Sequence, residues 1–363
     1  MSNLKFRTGF TLALIIPLIM VSPSLLADGG ANHQTRNTHF GVSGGNINDI
    51  GRAFCCSGTL GALVTDGSTQ YILSNNHVLA RSDQATPGED VSQPGLIDNG
   101  CLVPQIVADF TAAPPLGSNV DAAIAELRPG MMDSSGFIED IGVPSTNIIA
   151  PTVGLAVAKS GRTTGFTTGT ISSVNASVNI QYQRGCASGR KFVVSYANQV
   201  IIDGSSFSAG GDSGSLIVTN DATHNPVALL YAGSSTVTIG NPIGEVLDML
   251  EAALPGNAEI SFVGSKRRGR PHSGQTLSLP PRQGNWPSEQ SIQTATSAMM
   301  QRERELLSRA SVIGVGVGAL DRNPTEAAIV VYVDYTGAVQ PRLPRRINGV
   351  PVKVVYTEPI VAY

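Results

Sequence analysis

The chain has 363 residues, which is enough for two or three domains of ordinary size. Its 24 basic and 27 acidic residues leave a net charge of −3, so the charge gives no reason to expect a nucleic-acid partner. The 40 glycines, the few aromatic residues and the many Val, Ile, Thr and Ser residues predict an all-β body with many turns.

Residues 1–27 have the pattern of a secretory signal peptide. Lys5 and Arg7 supply a positively charged start, and residues 10–21 are almost entirely apolar. This apolar stretch is shorter than the roughly 20 residues that a membrane-spanning helix needs. The pattern therefore favours a signal cleaved after Ala27 over an uncleaved anchor. We expect a secreted or periplasmic protein with no stable membrane span once the signal is removed.

Four cysteines follow: Cys55, Cys56, Cys101 and Cys186. An even number in an exported protein favours disulfide bonds. Adjacent cysteines do not suit ordinary disulfide geometry. Cys55 and Cys56 are therefore each expected to bond to one of Cys101 and Cys186, in an order that the sequence leaves open. Metal binding is the alternative, but no histidine lies at ligand spacing from these cysteines, so we expect neither a metal nor a cofactor.

Composition divides the rest of the chain into segments. Residues 28–50 are rich in Gly, Asn and Ser and predict a flexible lead-in. Residues 51–257 carry short apolar strands separated by turn signals, and an amphipathic helix over 242–254 closes this body. A linker with prolines and a basic run spans 258–288. Residues 289–363 predict a small α+β module that contains no His or Cys and has no evident chemistry of its own.

The stretch from Ala209 to Ser215, Ala-Gly-Gly-Asp-Ser-Gly-Ser, has the composition of a turn that presents a nucleophile. Its glycines allow positive φ angles and keep side chains away from an approaching substrate. We expect the backbone N–H groups of Gly211 and Ser213 to converge on one point, as in an oxyanion hole. For this stretch taken alone, a plain surface loop is the alternative.

Two distant side chains are suited to assist a serine nucleophile. His77 follows directly after the predicted strand 71–74, where a ring can be held rigidly beside a cleft. Asp121 opens an apolar strand, and a buried carboxylate needs a hydrogen-bond donor such as an imidazole N–H. A serine hydroxyl needs a base, and an imidazole oriented by a carboxylate is a suitable one. Taken singly, His77 fits a core or loop position, and Asp121 fits a turn that accepts backbone hydrogen bonds.

The three residues occur along the chain in the order His77, Asp121, Ser213. With this order, the chain from about residue 56 to residue 254 resembles the trypsin-like serine peptidases of the chymotrypsin fold. The motifs that carry the resemblance are Asn-His-Val-Leu at 76–79, Asn-Val-Asp-Ala-Ala-Ile at 119–124 and Gly-Asp-Ser-Gly at 211–214. In addition, Lys-Ser-Gly-Arg-Thr-Thr-Gly at 159–165 is similar to a turn of bacterial secreted members such as α-lytic protease.

This resemblance implies two six-stranded antiparallel β-barrels with the site between them. It makes His77 the general base, Asp121 its orienting partner and Ser213 the nucleophile that attacks a polypeptide substrate. The backbone N–H groups of Gly211 and Ser213 then donate to the oxyanion.

The sequence also departs from the family. No Arg-Ile-Val-Gly-Gly-type activation site precedes the body, so we do not expect a freed amino terminus to pair with Asp212. In the bacterial members an internal cation takes this role, which predicts that Lys159 pairs with Asp212 and shapes the oxyanion loop. Ser215 stands where the family usually has a second glycine, a change that we expect the site to tolerate.

The same resemblance places the substrate pocket at Phe207, Ser208 and the edge strand Tyr231, Ala232 and Gly233. No carboxylate lies at the expected base of the pocket, which disfavours a preference for Arg or Lys. We expect Phe207 to fill part of the pocket and to favour small or aliphatic residues.

Residues 313–318, 329–333 and 343–352 resemble a small module that lies beside peptidase domains in bacterial proteins and in the plant NARROW LEAF 1 family. The resemblance leaves three roles open: interaction with a protein partner, assistance in folding, or an inhibitory cap.

The expectation for the whole chain is an exported serine endopeptidase that works through an acyl-enzyme. A binding protein built on an inactive peptidase fold, with the C-terminal module as its recognition element, is the alternative. An esterase of the same mechanism is a third possibility.

Overall fold

The computed structural model describes residues 31–51, 54–186, 189–264 and 284–363. The predicted signal peptide and the basic run of the linker lie outside these ranges. Across the described ranges, no helix combines the length and the apolar character needed to cross a bilayer.

The first barrel is a closed ring of antiparallel strands. Its strands are β1 (Val42–Asn46), β2 (Gly58–Leu60), β3 (Ala62–Thr65), β4 (Gln70–Ser74), β5 (Asp90–Gln93), β6 (Gln105–Ala112) and β7 (Ala123–Leu127). Only Gly61 separates β2 from β3, so the two form one bent strand and the ring has six members. The pairings run from β1 through β2/β3, β4, β7, β6 and β5 back to β1. The short helices α1 (Ala31–Gln34) and α2 (Asn76–Leu79) flank this barrel, as does a 3₁₀ turn at Leu96–Asn99.

The second barrel repeats this closure. Its strands are β8 (Ala156–Gly161), β9 (Gly165–Gln183), β10 (Lys191–Asp203), β11 (Leu216–Thr219), β12 (Pro226–Gly233) and β13 (Val237–Pro242). Pairing runs from β8 through β9, β10, β13, β12 and β11 back to β8. The predicted all-β fold of two six-stranded barrels, the chymotrypsin-like arrangement, is therefore confirmed.

A helix ties the two barrels together. Helix α3 (Ile243–Ala253) begins directly after β13, close to where its apolar spacing predicts a helix. Its buried residues Ile243, Val246, Leu247 and Leu250 join a core cluster that contains apolar residues of the first barrel together with Ala158, Leu216, Val218 and Leu229 of the second. The helix also packs against β12 and β13, so it contributes to an apolar core that the two barrels share.

Two segment boundaries differ from the expectation. Residues 28–50 do not form a flexible lead-in throughout, because β1 lies within them and is buried along its whole length. The strand escapes pattern recognition because it is built from small and polar residues; a Cβ at Gly44 would lie 2.4 Å from Leu60. The linker also starts later than expected, since β14 (Ser261–Phe262) pairs with β3 and buries Phe262.

The C-terminal module is a continuation of the second barrel. It comprises α4 (Glu289–Met300), α5 (Glu303–Leu307), β15 (Val312–Leu320), β16 (Asn323–Asp334), β17 (Arg346–Ile347) and β18 (Val350–Thr357). Strand β15 pairs with β9, and β16 and β18 extend the same sheet outward. Val315 and Ile329 of the module share one apolar cluster with Val174 and Ile202 of the barrel. The last strand, β19 (Val361–Ala362), returns to the barrel and pairs with β12.

Two disulfides settle the order that the sequence left open. Cys55 bonds to Cys101 within the first barrel, and Cys56 bonds to Cys186 at the tip of the β9–β10 hairpin. The second bond links the two barrels across a sequence separation of 130 residues. Closing so long a loop restricts the unfolded chain and so favours the folded state.

The shared sheet predicts that damage in the module destabilises the whole protein. A Cβ at Gly318 would lie 2.4 Å from the carbonyl oxygen of Ser172 on β9. We expect Gly318→Ala to lower the free energy of unfolding by about 1–3 kcal/mol, the usual cost of overpacking. Thermal unfolding followed by circular dichroism measures this. Gly244→Ala is the matched control, because the new methyl group would meet only Ile148 at 3.8 Å. Equal melting temperatures for both variants would contradict a tight β15–β9 contact.

Candidate active site

His77 lies on the one-turn helix α2, directly after β4 of the first barrel. Its Nδ1 is 2.6 Å from Oδ2 of Asp121, and its backbone N–H donates to Oδ1 of the same carboxylate at 3.2 Å. The Asn75 side chain donates to the backbone carbonyl of Asp121 at 2.7 Å, which holds the two segments together. The carboxylate therefore holds the ring through Nδ1 and the backbone through its N–H, and it leaves Nε2 for another partner.

Asp121 is completely buried and is stabilised by groups from both barrels. The hydroxyl of Tyr182 on β9 donates to its Oδ2 at 2.8 Å, and the hydroxyls of Tyr182 and Tyr196 are 2.7 Å apart. The backbone N–H of Asp121 donates to Asn241 at 2.9 Å. The sequence did not point to these tyrosines; the only available signal was that a buried tyrosine hydroxyl requires a partner.

The surroundings of His77 raise its pKa. Burial alone lowers it, but the charge and the hydrogen bond of Asp121 outweigh burial, and the carbonyl of Tyr363 and the charge of Asp49 add to the increase. The imidazolium form is therefore favoured to a higher pH than in an ordinary histidine.

The turn that carries Ser213 is held by its carbonyl groups. Thr163 Oγ1 donates to the Gly210 carbonyl at 2.7 Å, and Ser215 Oγ donates to the Asp212 carbonyl at 2.7 Å. In a trans peptide the N–H points opposite to the C=O. The N–H groups of Gly211 and Ser213 are thus turned away from these anchors, and neither donates to another residue in the described part of the chain.

The conformation of this turn requires glycine at two positions, Gly211 and Gly214, which both have positive φ angles. Gly211 has φ +99°, and a Cβ there would lie 2.4 Å from Thr163 Oγ1. Ser215, which we expected only to be tolerated in place of glycine, supplies one of the anchoring hydrogen bonds.

Lys159 and Asp212 form a fully buried ion pair beneath this turn, with Nζ 3.3 Å from Oδ2. Asp212 also accepts from the Thr163 backbone at 2.8 Å and from the Thr164 hydroxyl at 2.7 Å. Lys159 donates in turn to Thr164 Oγ1 and to the Gly165 carbonyl. Every oxygen of the buried carboxylate therefore has a donor, as a buried charge requires.

The serine and the histidine are both engaged with other groups in this structure. Ser213 Oγ donates to the Tyr231 carbonyl at 3.1 Å. Nε2 of His77 is 2.9 Å from the carbonyl oxygen of Tyr363 in the C-terminal segment. Because both ring nitrogens face oxygen acceptors, these contacts favour the protonated ring, in agreement with the raised pKa of His77.

The predicted pocket residues meet around the side chain of Tyr363. Its hydroxyl donates to the Ser234 carbonyl at 3.1 Å, and a Cβ on Gly233 would lie 2.2 Å from that hydroxyl. Ser208 hydrogen-bonds the phenol, although burial is the larger influence and raises the pKa of Tyr363 to about 12. Tyr231 and Ala232 line the edge strand and are buried.

Phe207 does not narrow the pocket as expected. It is 2% exposed and belongs to the core cluster of the second barrel, with its ring against Gly169 and Ile202. Tyr363 packs against that cluster. A pocket that holds the ring of Tyr363 gives no geometric reason for the expected restriction to small or aliphatic residues, and the preference itself stays a prediction.

No protein-family model matches the chain, and the search of curated proteins found no match. Several solved serine protease structures resemble it. A glutamic acid-specific serine protease is 20% identical, with 61% of this chain and 98% of that chain covered and a TM-score of 0.43. Protease A of Thermobifida fusca is 17% identical, with 63% of this chain and 99% of that chain covered and a TM-score of 0.42. A chymotrypsin of Cellulomonas bogoriensis is 15% identical, with 63% of this chain and 99% of that chain covered and a TM-score of 0.41. The fold assignment rests on the strand pairings of this chain itself.

The raised pKa of His77 predicts how the reactivity of Ser213 depends on pH. Only a neutral imidazole accepts the serine proton, so the labelling rate with a fluorophosphonate should rise with pH through a value above the ordinary 6.5. Asp121→Asn removes the charge that raises this pKa, so the rising limb should move to lower pH. Glu126→Gln, on exposed β7 surface, is the control and should leave the limb in place. A limb unchanged by Asp121→Asn would contradict the electrostatic coupling.

The anchoring bond from Thr163 predicts a positioning role. Thr163→Val keeps the shape of the side chain but frees the Gly210 carbonyl, so the N–H of Gly211 loses its fixed direction. We expect the labelling rate of Ser213 to fall by about tenfold or more, since loss of one oxyanion donor costs roughly 100-fold or more. Thr294→Val removes a comparable side-chain bond to a carbonyl in α4 and should have no effect. Equal rates in both variants would remove Thr163 from the site.

Proposed function

We propose that the protein is an exported serine endopeptidase that hydrolyses peptide bonds through an acyl-enzyme. In this proposal Ser213 is the nucleophile, His77 the general base and Asp121 the group that orients the histidine. The observation that carries the proposal is the 2.6 Å contact between His77 and the buried Asp121, together with Tyr363, which touches both His77 Nε2 and the Tyr231 carbonyl that accepts from Ser213.

The proposed reaction follows from the hydrogen-bonding groups of the site. Once the groove is free, the Ser213 hydroxyl rotates from the Tyr231 carbonyl to Nε2 of His77, which takes its proton as Oγ attacks the substrate carbonyl. The N–H groups of Gly211 and Ser213 stabilise the negative oxygen that forms. His77 then gives the proton to the leaving amine, and a water molecule hydrolyses the acyl-enzyme in the same way.

A polypeptide substrate fits the edge of β12. Ala232 and Gly233 pair with an extended segment in the antiparallel direction, as they do with β19 of the same chain. Such pairing holds the backbone of a peptide and leaves alternate side chains to be recognised by pockets. Lys159 and Asp212 support this site by fixing the oxyanion turn from beneath.

Secretion or a periplasmic location is part of the proposal. It is supported by the signal-like start of the sequence and by two disulfides, which persist in oxidising compartments. The similarity of the C-terminal module to that of the NARROW LEAF 1 family, and a protein partner bound through the module, likewise remain proposals.

Chemical labelling tests the proposed nucleophile. We expect a fluorophosphonate to modify the mature protein at Ser213 and to leave Ser213→Ala unmodified. Casein hydrolysis by Ser213→Ala should fall by at least about a thousandfold, as when a triad member is removed. Ser297→Ala, at an exposed serine of α4 that keeps the nucleophile and the oxyanion turn intact, is the matched control and should be labelled at the wild-type rate. Substantial casein hydrolysis by Ser213→Ala would exclude Ser213 from the mechanism, and hydrolysis of esters without peptides would favour an esterase.

One observation favours the alternative of a binding protein on an inactive peptidase fold. The Ser213 hydroxyl is bonded to the Tyr231 carbonyl and not to His77, and the groove is occupied. A folded mature protein that no fluorophosphonate labels, even with the groove vacated, would support this alternative.

A further inference from the structure

The end of the chain lies in the substrate groove of its own barrels. Strand β19 pairs with β12, with Ala362 opposite Ala232 and Val361 opposite Gly233. The N–H of Tyr363 donates to the Tyr231 carbonyl at 3.4 Å. This is the same carbonyl that accepts from Ser213, so Tyr363 is the tail residue that reaches the nucleophile turn.

Tyr363 is held at both ends of the residue. Its carbonyl oxygen is 2.9 Å from Nε2 of His77, and its side chain enters the pocket and donates to the Ser234 carbonyl. The backbone N–H of Tyr363 lies beside the nucleophile turn, its C=O group reaches the general base, and its side chain fills the pocket, which together match a residue bound just before the bond to be cleaved. Tyr363 therefore occupies the position of the residue that precedes the scissile bond.

The upstream part of the tail is anchored as well. The hydroxyl of Thr357 contacts those of Ser234 and Thr236 at 2.6 and 2.8 Å, and Thr357 is completely buried. Gln181 N–H donates to the Ile360 carbonyl at 2.9 Å, and the Ile360 side chain is 1% exposed. The tail is thus built into the structure from the end of β18 to the groove.

We propose that residues 360–363 act as an intramolecular competitor that occupies the groove in the manner of a bound peptide, and that the pocket selects tyrosine before the scissile bond. This inference rests on the proposed function, since it names the substrate class and the regulation of the same site. Because the tail belongs to the chain, its effective concentration in the groove is on the order of millimolar. An external substrate must displace it.

The contacts of Tyr363 explain the selectivity. The pocket buries the ring against an apolar cluster and presents a serine hydroxyl and a backbone carbonyl to the phenol. A phenylalanine leaves the Ser234 carbonyl unpaired, which reduces its fit by about two- to tenfold, the factor of one neutral hydrogen bond. A lysine ammonium finds no free carboxylate, because Asp212, whose charge acts on the phenol, is already paired with Lys159.

The first experiment compares Tyr363→Ala with the wild type in the full chain. We expect a fluorophosphonate to label Ser213 about 10- to 100-fold faster in the variant, the factor that burial of one aromatic side chain supplies. Tyr363→Phe should lie between the two. Tyr356→Ala removes a 58% exposed tyrosine from β18, and it should label at the wild-type rate. Melting temperatures of all variants check that they are folded.

The second experiment uses peptides with the tail sequence. The free hexapeptide Glu-Pro-Ile-Val-Ala-Tyr, which copies residues 358–363, should slow the labelling of Tyr363→Ala and protect it competitively. Fluorogenic substrates Ile-Val-Ala-X should be cleaved by Tyr363→Ala with X = Tyr preferred over Phe by about two- to tenfold. Lysine at X should give the lowest kcat/KM.

The outcomes separate this inference from the proposed function. Equal labelling rates in the wild type and Tyr363→Ala, with Ser213→Ala unlabelled, would overturn the competitor and leave the peptidase intact. A kcat/KM for lysine equal to that for tyrosine would overturn the selectivity. Absence of labelling in every folded form would overturn the peptidase.

In that case, binding of the dye-labelled hexapeptide, measured by fluorescence anisotropy, tests whether the groove is a binding site for the tail. Binding to Tyr363→Ala but not to the wild type supports the tail site, and no binding to either overturns it.

Discussion

The structure depends on one buried carboxylate. Asp121 is removed from water entirely, which is tolerable only because hydrogen-bond donors surround it. His77 supplies two of these donors from the first barrel, and Tyr182 supplies a third from the second barrel. The carboxylate is therefore satisfied only when the barrels meet in one arrangement. That arrangement also orients the imidazole and raises its pKa, so stability and reactivity rest on the same contacts.

On the other side of the groove, a second buried carboxylate, that of Asp212, is likewise stabilised by surrounding donors. Lys159 and Asp212 are both inaccessible to water, and the Thr163–Thr164 turn completes the bonding of the carboxylate. Because the pair lies beneath the Ser213 turn, the backbone N–H groups of that turn have fixed directions before any substrate arrives. Preorganised donors of this kind cost no reorganisation during a reaction.

The position of the C-terminal module in the sheet determines where the end of the chain lies. Strand β15 adds to β9, and the following strands turn the chain back until β19 reaches β12. If the module were attached only through a flexible linker, the end of the chain could take many positions. Because the module shares a sheet with the second barrel, the end of the chain has one fixed position. Of the three roles that the sequence left open for the module, the inhibitory cap agrees with the geometry, and the contacts of Tyr363 with His77 support it.

The sequence by itself determined the all-β character of the body, because short apolar strands alternate with glycine-rich turns, and the local motifs around His77, Asp121 and Ser213 carried the resemblance that implied the double barrel. It also indicated that Lys159 would meet Asp212. Only the tertiary structure decided the disulfide pairing, the burial of β1, the tyrosine that supports Asp121 and the residence of the tail in the groove. Each of these depends on contacts between segments far apart in the chain, and hydrophobic periodicity carries no information about which distant partners meet.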